Sequence, residues 1–236
     1  MSVAFIFPGQ GSQQVGMGHA LAEQFTAARA VFDEIDEALG IKLSTIMWDG
    51  PDDRLMLTEN AQPALMAVSM AAVAVLGAEF GIGVGRTARY VAGHSLGEYS
   101  ALAGAGSFSV ADAARLLQIR GRAMQRATPV GTGAMAALLG LDYEAAVAIA
   151  EEAAQGQVCD AANANGPGQV VVSGEVRAVE RAVEIARGRG ARRAVLRPVS
   201  APFHCALMQP AAEVMTEALG TVAVKRPSVP VIANVT

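Results

Sequence analysis

Positive charge, aromatic rings, cysteine and histidine are all scarce in this chain of 236 residues. Lys and Arg total 18 against 22 Asp and Glu, a net charge of −4. A chain of that sign lacks the basic footprint that binds nucleic-acid phosphates or anionic lipid headgroups, so neither nucleic acid nor membrane is expected as a partner. Aromatic residues are 5% of the chain, too few for a platform on which bases stack. The two cysteines, Cys159 and Cys205, give no disulfide framework and no thiolate metal site. With three histidines, His19, His94 and His204, a multi-histidine site is nearly excluded, and neither a metal nor a cofactor is expected. The N-terminus has no basic region and no cleavage signal of a secretory leader, and a reducing cytoplasm is the expected compartment. Long hydrophobic runs are missing too. The apolar stretch Ala64–Ala78 has fifteen residues, short of the roughly 20 that cross a bilayer, and reads as a buried core helix.

What the chain does have is 52% hydrophobic residues and 25 glycines, enough to bury a core without staples. Val3–Phe7 is a short apolar run ended by Pro8-Gly9-Gln10-Gly11-Ser12, a buried strand entering a loop. Leu21, Phe25, Ala28, Phe32, Ile35 and Leu39 carry helical spacing across residues 18–39. Tyr90-Val91-Ala92 is a second strand that meets Gly93-His94-Ser95-Leu96-Gly97, and Ser109 opens a helix with the spacing of a capping box. Strands ending in Gly-rich turns and followed by helices indicate an α/β core with a parallel sheet.

The rhythm changes in the middle of the chain. Extended 134–139, helical 143–154, extended 158–162, a turn cluster at 163–168, extended 170–172, a helical stripe 176–186 and extended 194–196 give the order β-α-β-β-α-β. That is the ferredoxin-like pattern. The expected division is a core of residues 1–128 and 198–236 with a ferredoxin-like subdomain of 129–197 inserted. Residues 229–235 read as a strand. A terminal edge strand would explain it, but a bare apolar edge is a liability, and a chain cut short is the favoured reading.

Gly93-His94-Ser95-Leu96-Gly97 fits the nucleophile-elbow pattern G-x-S-x-G. A turn this tight leaves no room for side chains flanking the serine, and it lifts the hydroxyl into a cleft. The N–H of Leu96 then lies at a helix start, where an oxyanion is stabilised. A simple Gly-rich βα loop is the alternative. The hydroxyl needs a base. His19 reads as a solvated helix residue and His94 points away from its neighbour, which leaves His204 by elimination. The first loop misses the dinucleotide fingerprint because residue 14 is Gln14. It fits better as a second oxyanion donor. Arg120 falls on the apolar face of the helix from Ser109, with Val110, Ala113, Ala114, Leu117, Gly121 and Met124. An inward guanidinium needs an anion, either an internal Asp or Glu or a substrate carboxylate held bidentately.

Six motifs then resemble a known family in order along the chain: Phe7–Gln13, Gly93–Leu102, Arg120, Gly131–Met135, Asn165–Val170 and Pro198–His204. Together they resemble bacterial malonyl-CoA:acyl carrier protein transacylase. The resemblance implies an α/β-hydrolase-like core with a ferredoxin-like subdomain. It implies Ser95 as nucleophile, His204 as its base, the N–H groups of Gln10 and Leu96 as oxyanion hole, and Arg120 as holder of the malonyl carboxylate. Phe203 resembles the malonyl-selecting form of related acyltransferase domains. Malonyl-CoA and acyl carrier protein are the implied substrate and partner, in fatty acid biosynthesis, and a monomer is expected. Family members continue past Thr236 with a part that completes the sheet and orients the histidine. A serine hydrolase or thioesterase, or a fragment that only binds CoA or carrier protein, are the alternatives. Arg187, Arg189, Arg192, Arg193 and Arg197, with no acid among them, read as a solvated helix end or as a docking surface for the acidic carrier protein.

Overall fold

Alternation of short apolar runs with Gly-ended helices produces the element order of the chain. It begins β1 (Val3–Phe7), α1 (His19–Gln24), α2 (Thr26–Leu39), α3 (Leu43–Asp49), α4 (Asp52–Met56), α5 (Thr58–Phe80), α6 (Val84–Thr87), β2 (Ala88–Gly93), α7 (Gly97–Gly104) and α8 (Val110–Ala127). It continues with β3 (Gly133–Leu139), α9 (Tyr143–Ala154), β4 (Cys159–Gly166), β5 (Gln169–Glu175), α10 (Val176–Gly188), β6 (Arg193–Leu196), α11 (Gln209–Leu219) and β7 (Val231–Ile232). This computed structural model describes residues 3–129, 131–197, 199 and 201–235. Pro198 and Ser200 of the histidine motif lie outside the described residues. The chain divides into two compact units, Met1–Arg122 with Met215–Thr236, and Ala123–Val214.

In the first unit three parallel strands stand in the order β1-β2-β7. One face is covered by Phe7, Val84, Val91, Ala101, Ala105 and Val229. A larger helical core packs Phe32, Ile35, Leu43, Met47, Leu65, Met66 and Leu117 together. The helix expected over 18–39 is two helices, because Phe25 is extended (φ −128°, ψ 119°) between α1 and α2. Its ring still packs against the core, so the hydrophobic spacing runs through the break. The helix expected to start after Pro63 begins at Thr58, with Pro63 inside its second turn. At 23 residues α5 is long and apolar enough to cross a membrane, yet residues from Ala61 to Ala67 are buried within this unit.

Ser109 Oγ accepts from Asp112 N–H at 3.0 Å and donates to the Asp112 carboxylate at 2.7 Å, so the capping pair forms as its spacing indicates. In the second unit an antiparallel sheet of order β4-β5-β3-β6 is the ferredoxin-like arrangement. Ile149, Ala150, Val179, Ala182 and Val183 of α9 and α10 pack with Leu138, Val170 and Val172 of its strands. The turn cluster expected at 163–168 is mostly strand. β4 runs to Gly166, with register shifts at Ala161/Asn163 and Ala164/Gly166 that absorb the turn-forming residues, and only Pro167 and Gly168 connect it to β5. The strand expected over 229–235 is two residues long, Val231–Ile232.

Candidate active site

Parallel strands concentrate their loops at their C-terminal ends, where open α/β sheets bind ligands. Phe7 pairs with Gly93 at that end of β1 and β2, so the first loop and the serine turn emerge side by side. His94 N–H donates to Phe7 C=O at 3.0 Å, and Gly97 N–H donates to His94 C=O at 2.9 Å, closing the turn. Ser95 sits at its apex with φ 54°, in the left-handed region. A non-glycine residue there carries strain of about 1 kcal/mol or more. A Cβ on Gly93 would overlap the Gly97 carbonyl, and one on Gly97 would overlap Phe7 and Pro8 carbonyls. Both glycines of the pattern are therefore demanded by backbone atoms that cannot move aside. Gly9 is similarly pressed onto His94, which seats the loop bearing Gln10 against the residue before Ser95. Leu96, buried at 1% exposure, caps α7, so its N–H is at the positive end of an eight-residue helix. Gln10, in that loop, donates its side-chain amide to Thr58 Oγ1 at 3.5 Å.

Arg120 reaches the serine. From α8 its Nη1 donates to Gln62 Oε1 at 2.7 Å and its Nη2 donates to Ser95 Oγ at 3.1 Å. The guanidinium carbon lies 5.8 Å from the centroid of the Tyr99 ring. Gln62 is itself 1% exposed, so the amide that orients the guanidinium is fixed by packing. Among the described residues no carboxylate forms an ion pair with Arg120. Of the two anions that an inward Arg120 could await, the internal one is thus not seen. Burial pulls its pKa below the ordinary arginine value, while Tyr99 and Glu98 push it back up. A guanidinium remains a cation at neutral pH under such a pull.

His204 belongs to the second unit and also has a left-handed backbone, φ 61°. Its turn is pinned at several points. Phe203 N–H donates to Ala201 C=O at 3.1 Å, Cys205 Sγ to Pro202 C=O at 3.1 Å, and Ala206 N–H to Asp160 Oδ2 at 2.7 Å. A Cβ on Gly133 would strike the Pro202 ring. Cys205 is half-buried and its thiol pKa is raised by that burial, which keeps it a poor nucleophile. Of the other histidines, His94 lies in the serine turn itself with its residue exposed, and the His19 ring is tilted against Trp48 at 5.0 Å with Glu23 beside it.

Comparison with known proteins decides the family. Residues 4–236 match the acyl transferase domain family. The malonyl CoA-acyl carrier protein transacylase of Bacillus subtilis strain 168 is 48% identical over 234 residues, covering 99% of this chain and 72% of the relative. The crystal structure of an acyl-carrier-protein S-malonyltransferase from Bartonella henselae is 60% identical with a TM-score of 0.96, covering 100% of this chain and 74% of that one. A malonyl-transacylase solved in complex with its type II PKS acyl-carrier protein is 43% identical with a TM-score of 0.92, covering 98% and 74%. The chain belongs to the malonyl CoA-acyl carrier protein transacylase family.

For a transacylase of this family, sequence reasoning names Gln10, Ser95, Leu96, Arg120 and His204; the structure has the loop of Gln10, Ser95, Leu96 and Arg120 at one end of the first unit's sheet and His204 in the second unit. Sequence reasoning misses Gln62 and Asn234. Gln62 lies inside the uncharged stretch before Pro63, where a buried amide gives no periodic signal. Asn234 touches the turn from 139 residues away, Oδ1 to Ser95 N–H at 2.8 Å, a distance no local pattern spans.

Proposed function

We propose that this chain transfers a malonyl group from malonyl-CoA to the phosphopantetheine thiol of acyl carrier protein, through a malonyl ester on Ser95, in cytoplasmic fatty acid biosynthesis. The observation that carries this reading is the hydrogen bond from Arg120 to Ser95 Oγ. A guanidinium beside the hydroxyl of an elbow suits an acyl group that bears its own carboxylate two carbons from the reacting carbonyl. Gln62 orients the guanidinium through Nη1 and Ser95 takes one bond from Nη2, and the remaining N–H groups of the fork suit that carboxylate.

In the first half-reaction His204 takes the Ser95 hydroxyl proton and Oγ attacks the thioester carbon. The N–H groups of Gln10 and Leu96 bind the oxyanion. Collapse breaks the C–S bond, and the CoA thiolate leaves with the proton from His204. In the second half the carrier-protein thiol gives its proton to His204 and its sulfur attacks the ester. Ser95 Oγ departs and recovers the proton. Serine, histidine and backbone donors complete both steps, so no cofactor is called for beyond the substrate.

The test is intact mass after brief incubation with malonyl-CoA, with Ser95→Ala alongside. One malonyl increment on the unsubstituted chain alone, discharged when holo carrier protein is added, is the expected result. No increment on a folded chain overturns the reading. An increment lost to water as fast as to carrier protein replaces it with a thioesterase.

A further inference from the structure

The serine turn is bound by a residue that lies beyond β7. Asn234 makes two hydrogen bonds to it and one to the helix that follows: Oδ1 accepts from Ser95 N–H at 2.8 Å, Nδ2 donates to Gly93 C=O at 2.5 Å, and its own N–H donates to Glu98 Oε2 at 2.8 Å. The amide orientation is dictated by its partners. Turned over, it would set NH2 against an N–H and oxygen against a carbonyl.

We propose that Asn234 is a positioning residue that fixes the peptide plane leading into the left-handed Ser95, and so the direction in which its hydroxyl is presented. The proposal rests on the reading of Ser95 as the acylated residue. β7 pairs with β2 only through Val231 and Ile232, opposite Val91 and Ala92. Past that point the pairing continues only with β1, at Phe7, and on the β7 side Gly93 C=O and Ser95 N–H have no strand beside them. A side-chain amide offers the same acceptor and donor as a peptide group, so Asn234 continues the ladder for two more bonds where a backbone no longer can. Bridging Gly93 C=O and Ser95 N–H fixes the His94 torsions and the peptide plane that leads into Ser95, the plane from which its strained φ of 54° starts. Glu98, in the first turn of α7, in turn holds the Asn234 main chain. The Ser95 N–H is occupied by this arrangement and the next N–H, that of Leu96, is the one aimed at the oxyanion. Loss of the bridge lets Ser95 relax, and the hydroxyl and the Leu96 peptide turn together.

Asn234→Ala and Asn234→Asp test this, through the single-turnover rate of Ser95 acylation by malonyl-CoA and the hydrogen exchange of the Ser95 amide. The Ala variant is expected to acylate about 10- to 100-fold more slowly at saturation, the scale of a misplaced reacting group. Half-saturating malonyl-CoA should move less than about two-fold, because Arg120 and Gln62 are untouched. The Ser95 amide should exchange at least about ten-fold faster once its acceptor is gone. The Asp variant keeps the acceptor for Ser95 and turns an oxygen toward Gly93 C=O, so its rate falls between the two. Acylation within two-fold of the unsubstituted chain, an unchanged Ser95 exchange rate, or a loss carried wholly by half-saturation overturns the proposal. So does loss of the near-UV circular dichroism in both variants, which assigns Asn234 to the fold. Should the unsubstituted chain fail to acylate, the functional reading falls, while the exchange measurement still decides what Asn234 does to the turn.

Discussion

At the scale of single residues, the proposed function assigns Arg120 the task of separating a malonyl enzyme from a general acyl enzyme. Its partners are a neutral amide, a hydroxyl and an aromatic face, none of which cancels its charge. The positive field at Ser95 is therefore available to a substrate carboxylate, and a neutral acyl group gains nothing from it. Charge-assisted hydrogen bonds contribute about 1.5–3 kcal/mol each, so truncation should cost about 10²- to 10³-fold in kcat/KM for malonyl-CoA. Arg120→Ala should change acetyl-CoA turnover by less than about five-fold, since the elbow remains intact. Arg120→Lys keeps the charge but not the fork and should recover only part of the loss. Acylation rates with both thioesters measure the ratio, and a malonyl preference unaltered in Arg120→Ala would remove the clamp role.

At the scale of elements, what could be read in the sequence depended on how local its cause is. α9 runs over residues 143–154 as its periodicity indicates, because Asp142 caps it by accepting from Ala145 N–H at 2.8 Å. Gly93 of the serine turn was legible for the same reason, since the Gly97 carbonyl that it avoids is four residues away, whereas Gly97 avoids Phe7 and Pro8 and was legible only through the pattern of the elbow. The Asn163–Gly168 stretch was misread because Asn and Gly favour turns, whereas pairing with β5 draws most of it into a bulged strand. The inward position of Arg120 follows from helical spacing, but Gln62 as its partner is 58 residues away and leaves no trace. The arginine run shows the same limit. Arg187 pairs with Glu184 at 2.7 Å and Arg189 pairs with Glu152, an acid on another helix that counting along the run could not find. Arg192, Arg193 and Arg197 are exposed and, among the described residues, form no ion pair. A surface that steers an acidic carrier protein would use these three. Arg192→Glu with Arg193→Glu should raise KM for holo carrier protein about three- to ten-fold at low salt, and the difference should vanish as salt screens it. Arg187→Glu with Arg189→Glu should act more weakly. Equal effects from both pairs, or none at low salt, would remove steering by this run.

At the scale of the whole molecule, the parallel sheet of the first unit has two unlike faces. Phe7, Val91 and Val229 are buried on one. On the other, Ile6 is 78% exposed and Ile232 56% exposed, with Tyr90 exposed as well. Pairing sets these residues beside one another, since Ala4 stands opposite Tyr90, Ile6 opposite Ala92, and Ala92 opposite Ile232. The result is a continuous apolar stripe across all three strands. Parallel sheets are ordinarily covered on both faces, and contiguous apolar surface of this kind attracts apolar probes. The chain as it stands should therefore bind 1-anilinonaphthalene-8-sulfonate while retaining a full near-UV spectrum, which separates a native patch from a molten state. Ile6→Lys with Ile232→Lys should abolish most of that fluorescence. Because both side chains are already in water, the change should cost less than about 0.5 kcal/mol of stability. Acylation of Ser95 should be unaffected, since neither aliphatic side chain can take part in the hydrogen bonds that hold the serine turn. If the double variant binds the dye as strongly as the parent, the stripe is not the apolar surface that the probe finds, and the sheet is covered in solution.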